Sequence, residues 1–95
     1  MYTFEANLTP KGYEQIADVS TPAKTLTVPT GATYAKIQAV TKAVRYRDDG
    51  TDPTAAIGIQ IAAGDSIWYI GDLSALAFFE EEASAELNVS YYGAK

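Results

Sequence analysis

Three aspartates crowd one short stretch of the sequence, Arg47-Asp48-Asp49-Gly50-Thr51-Asp52-Pro53. Clustered carboxylates are the raw material of a calcium site, because Ca²⁺ takes about six to eight hard oxygen ligands. The spacing departs from the Asp-x-Asn/Asp-x-Asn/Asp-Gly loop, however, and no Glu stands downstream where that loop needs one. A strand connection is the simpler reading: Asp-Gly favours a tight turn, Asp carboxylates accept from nearby backbone N–H groups, and Pro53 stiffens the exit. The chain contains neither His nor Cys. Serine–histidine and cysteine–histidine catalysis are thereby excluded, and the best zinc ligands and any disulfide framework are missing. Carboxylates, Lys24, Lys36, the arginines, tyrosines and hydroxyls remain. Two carboxylates can in principle run glycoside hydrolysis, but a 95-residue chain leaves little room for the deep cleft this needs. The expectation is a non-enzymatic protein with no catalytic residue, no metal and no cofactor.

The chemistry that remains is that of contact. In Val44-Arg45-Tyr46-Arg47 the two cations stand two residues apart, so an extended strand points both to one face. Such a strip commonly pairs with carboxylates on a neighbouring strand, and each exposed pair contributes only about 0–1 kcal/mol. The functional alternative is docking to an acidic protein surface through guanidinium forks. Trp68 sits between Ile67 and Tyr69 and faces away from them. With Ile67 in the core, Trp68 is an outward contact candidate, unless a loop or arm covers that face. Tyr92 faces away from Leu87, Val89 and Tyr91 in the same way. Arg45, Arg47, Trp68 and Tyr92 are therefore the expected partner-binding residues. The run Glu80-Glu81-Glu82 reads as a solvated hairpin tip whose charge discourages edge-to-edge aggregation after the apolar Ala75–Phe79 stretch.

Short alternating runs broken by Gly, Pro, Asp, Thr and Ser recur from Gly12 onward, and helix-period patterning is scarce. Residues 12–20 form a weak first strand, with Tyr13 and Ala17 flanking a mixed polar run. Next come Leu26 and Val28 against Thr25 and Thr27, then Ala35, Ile37 and Ala39 against Lys36 and Gln38, then Val44 and Tyr46 against the arginines. Four more runs follow at spacing two: Ile57, Ile59 and Ile61; Ile67 and Tyr69; Leu76 and Phe78; Leu87, Val89 and Tyr91. A short helix is weighed only near residues 39–43, or after Asp72 or Ser74 acting as a cap. Seven to eight short strands with frequent turn signals predict an all-β fold, a small antiparallel β-sandwich, jelly-roll-like, or a barrel. Residues 1–12 carry Tyr2, Phe4 and Ala6 at alternate positions and read as an extended N-terminal arm or a frayed terminus, with one β domain over 13–95.

Composition narrows the partners. A chain of this length buries only roughly 60–65% of its unfolded surface, which allows one thin core. An apolar share of 47% with 20% charged residues belongs to a folding chain rather than a disordered one. Seven tyrosines favour strands and contact surfaces. Seven basic against twelve acidic residues give a net charge of −5, which disfavours phosphate backbones, so nucleic acid is not an expected partner. No basic region followed by an apolar stretch opens the sequence, and no run approaches the roughly 18–20 apolar residues of a membrane span, so neither secretion nor a membrane is expected.

The segments TLTVP (Thr25–Pro29), AVRYRDDG (Ala43–Gly50), GDLS (Gly71–Ser74) and LNVSYY (Leu87–Tyr92) resemble a group of small virion proteins of tailed bacteriophages and prophages. The likeness covers about Thr25 to Tyr92 and includes Arg45 to Gly50; it departs at Ile59 and Ile61, where other aliphatics stand. The resemblance implies a structural β-domain of the virion without catalytic residues, assembled in the bacterial host cytoplasm. The expected role is capsid decoration or cementing, in many copies or as a homo-oligomer, with the major capsid protein or other virion proteins as partners. A tail or neck component, with a carbohydrate- or receptor-binding function, is the alternative.

Overall fold

The computed structural model describes residues 8–19 and 23–94. Eight strands run along them: β1 (Leu8–Ala17), β2 (Lys24–Thr25), β3 (Tyr34–Ala39), β4 (Val44–Arg47), β5 (Ile59–Ile61), β6 (Ser66–Ile70), β7 (Ala77–Glu80) and β8 (Glu86–Ala94). They form two four-stranded antiparallel sheets, in the orders β1-β8-β3-β6 and β2-β7-β4-β5. Four of the pairings are nested, β4 with β5 innermost, then β3 with β6, β2 with β7, and β1 with β8. The chain is thus one long folded-back ribbon rolled up so that β3 also pairs with β8 and β4 with β7. This is a jelly-roll-like β-sandwich. The two sheets stay open at their outer strands and do not close into a barrel.

Alternation decides which side chains fill the space between the sheets. Ala35, Ile37 and Ala39 of β3 and Leu87, Val89 and Tyr91 of β8 face inward from the first sheet, and Val44, Ile61 and Phe78 meet them from the second. Ile67 and Tyr69 of β6 pack against that core, as do Leu26 and Val28, which lie just beyond the two-residue β2. Burying a side chain such as Phe78 completely is worth about 1.5–3 kcal/mol. The isoleucine run is the exception to the expected pattern. Ile61 is buried, but Ile57 and Ile59 are 56% and 59% exposed, because β5 is an outermost strand with nothing packed beyond it.

Leu8 to Gly12, read from the sequence as part of an arm, lie in β1 and pair with β8 across a bulge between Pro10 and Gly12. The rest of that arm, residues 1–7, falls outside the described residues. The capped segment after Asp72 is a single 3₁₀ turn, Leu73–Ala75, with the Asp72 carboxylate accepting from the Ser74 N–H at 3.1 Å. Residues 39–43, the other helix candidate, leave β3 through a bend into β4. One turn fixes the end of the roll. Ala32 N–H donates to Pro29 C=O at 3.1 Å with Gly31 at φ 86°, a turn that favours glycine at that position. β8 passes beneath it so closely that a Cβ on Gly93 would stand 2.0 Å from the Gly31 carbonyl oxygen.

Candidate functional site

The four contact residues expected from the sequence divide between opposite faces of the sandwich. Arg45 and Arg47 project outward from the second sheet, and Trp68 and Tyr92 outward from the first. Both arginines are engaged within the chain. Arg45 Nε donates to Glu81 Oε2 at 2.8 Å and its NH1 to the Gly58 carbonyl at 3.0 Å; Gln60 Nε2 donates to the same Glu81 oxygen at 2.8 Å. Arg47 forms a fork on Asp49, with bonds of 3.1 and 2.5 Å. That bond holds the Asp49 carboxyl below its ordinary range and raises the Arg47 guanidinium.

These pairs also settle what the acidic runs do. Asp49 additionally accepts from the Thr51 N–H at 3.3 Å, and Asp48 accepts from the Tyr69 hydroxyl at 2.7 Å. That last bond, with burial behind it, pushes the Tyr69 phenol up to about 12. Pro53 is buried at the loop's exit. Asp49 and Asp48 therefore brace the β4–β5 connection against β4 and β6 respectively. Among the described residues no group of three or more carboxylates converges as a metal site would require. The glutamate run is less solvated than its composition implies. Glu80 accepts from the Ala85 N–H at 3.1 Å, Glu81 holds Arg45, and Glu82, paired with Lys42 at 3.6 Å, is the exposed charge at the tip.

The outer face of the first sheet is organised in rows set by strand register. Tyr13, Ser90, Lys36 and Trp68 lie side by side across β1, β8, β3 and β6, and Gln15, Asn88, Gln38 and Ser66 form the next row. Side chains link the rows. The Tyr13 hydroxyl donates to Asn88 Oδ1 at 2.6 Å and Gln15 Nε2 donates to the same oxygen at 3.0 Å, while Asn88 Nδ2 donates to Gln38 Oε1 at 3.1 Å. Between them runs an open trough of about 420 Å³ lined by Tyr13, Lys36, Gln38, Ser66, Asn88 and Ser90. Tyr13 is 63% exposed at one end, and Trp68, 46% exposed, stands at the other with its ring 5.2 Å from that of Tyr92.

Sequence patterning places Lys36 and Gln38 on the face opposite the core, but it does not bring Tyr13, Asn88 or Ser66 to them. Those three arrive from other strands, and only the register of four strands defines the rows. Comparison of the chain with protein-family models, with curated proteins and with solved structures returned no match.

Proposed function

We propose that this chain is a non-enzymatic structural protein of a tailed-bacteriophage or prophage virion, a capsid decoration or cementing protein that binds the assembled head in many copies. The observation that carries this reading is the exposure of Ile57, Ile59 and Ile70 at or beside the outermost strands β5 and β6. Open strand edges with large aliphatic side chains are normally covered, since they are templates for association. A shell of repeated protein subunits would cover them at every copy, and symmetric repetition would let a weak single contact accumulate through avidity. The virion-protein resemblance of Thr25 to Tyr92 supports the same reading. Of the four expected contact residues, Trp68 and Tyr92 lie together on the outward face of the first sheet, their rings 5.2 Å apart and Trp68 46% exposed. Arg45 and Arg47 would engage an acidic partner only by exchanging Glu81 and Asp49 for it.

Particles assembled without this protein test the proposal directly. A cementing protein predicts heads that lose genome at lower temperature or under chelation, and density for this chain on the capsid of complete particles. Unchanged particle stability, with the protein found at the tail, would remove the decoration role. The second reading, a tail or neck component that binds carbohydrate or a receptor, is favoured by the amide- and hydroxyl-lined trough between two exposed aromatic residues. Position in the particle separates the two.

A further inference from the structure

We propose that the trough on the outer face of the first sheet is a binding site for a short carboxylated oligosaccharide, with Lys36 receiving a sugar carboxylate. This assignment does not depend on where in a particle the chain sits. The row Tyr13–Ser90–Lys36–Trp68 crosses three strand spacings, roughly 14 Å between the outer two strands at about 4.8 Å each. The row therefore suits a short extended ligand lying across the strands. Its two ends are exposed aromatic side chains, whose faces can stack on the C–H faces of pyranose rings.

The floor is built for hydroxyl groups. Asn88 is held by three side-chain hydrogen bonds, which fix the amide row before any ligand arrives. Among the described residues, the Gln38 amide N–H groups, the Ser66 hydroxyl and the Lys36 ammonium have no side-chain partner of their own. The open groups along the floor are thus mainly donors, with the Ser66 hydroxyl able to accept as well, and they suit the oxygens of a carbohydrate. A peptide fits less well. The trough runs across a sheet whose central strands β8 and β3 are already paired on both sides, so it presents no free backbone edge for strand addition.

Charge then selects among glycans. On the opposite face Glu81 and Asp49 are paired with arginines and Glu82 with Lys42, whereas Lys36 forms no ion pair among the described residues and lies in the interior of the row. A lysine held among amides and hydroxyls on a chain of net charge −5 is a local positive point in a negative field. It attracts a single carboxylate. It does not make the run of cations that a phosphate backbone needs.

The test is titration of the intact, isotopically labelled chain with trigalacturonate, a guluronate trisaccharide and sialyllactose. Methyl-esterified trigalacturonate and cellotriose serve as neutral counterparts, and the readout is backbone and side-chain amide shifts. At least one acidic probe should perturb Gln38, Asn88 and the Trp68 indole, at least tenfold more tightly than the neutral probes and more weakly as salt rises. Lys36→Gln should abolish that preference, and Lys36→Glu should abolish acidic binding altogether. Lys24→Gln, on the other sheet, should change neither. Lys36 is exposed, so both variants are expected to keep the wild-type spectrum elsewhere. Silence across the acidic panel, or binding that survives Lys36→Glu, overturns the assignment, and either outcome leaves the capsid role to stand or fall on the particle experiment.

Discussion

Glu14 carries more of the structure than its place in a mixed polar run suggests. Its carboxylate accepts both the hydroxyl of buried Tyr91 and the Thr27 N–H, the latter at 2.9 Å, and so ties β1, β8 and the segment after β2 together. Glu14→Ala leaves a buried phenol without a partner and should cost about 1–3 kcal/mol, measured by urea unfolding, while Tyr91→Phe should cost about 1 kcal/mol. Burial first, and then the neighbouring Glu14, raise the Tyr91 phenol well above its ordinary value of 10.0. In the unfolded chain that phenol ionises near pH 10, so above this pH the unfolded state releases a proton that the folded state retains. Stability is therefore full below about pH 10 and falls as pH rises further, with Tyr69, at about 12, adding in the same direction. Tyr91→Phe should flatten that alkaline loss. None of this was legible in the sequence, because Glu14 finds its partners 77 residues away on β8 and 13 residues away in the segment after β2. Arg45 was better marked. The expected cross-strand carboxylate is Glu81, and since the two side chains are only 27% and 22% exposed, a double-mutant cycle of the pair should give a coupling near the upper end of about 0–1 kcal/mol.

At the level of elements, period-two patterning identified β3, β4, β6 and β8 with their inward faces, because each has a neighbour on at least one flank and a core beneath it. It was weaker at the outermost strands. β1 is inward-facing at Glu14 and Ile16 rather than at Tyr13 and Ala17, so its polar run conceals a strand whose buried side is partly charged. Around β5, three isoleucines at spacing two promised a buried strand, yet only Ile61 reaches the core. Composition cannot distinguish an aliphatic that packs inside from one set aside for contact. The glycines at the end of the roll give a further prediction. With the Gly31 carbonyl pressed against β8, Gly93→Ala must displace either the turn or the strand. It should cost at least about 1–3 kcal/mol, the range for overpacking, lowering the urea midpoint with little change in its slope.

For the molecule as a whole, the open edges matter more than the core. If Ile57 and Ile59 are contact residues, the purified chain should self-associate at high concentration, and Ile59→Lys should shift the sedimentation profile toward monomer without lowering stability, since the side chain is already 59% exposed. The same substitution should reduce occupancy on heads if the decoration proposal holds. The nested pairing also bears on how the chain comes to be folded. Leu8 and Ala94 are strand partners, and β8, the last strand in order, lies in the interior of its sheet between β1 and β3. Topologies dominated by such distant pairings fold in milliseconds to seconds rather than microseconds. On a ribosome the consequence is sharper: β8 is the strand that joins β1 to β3, so the first sheet cannot be completed until β8 has cleared the exit tunnel.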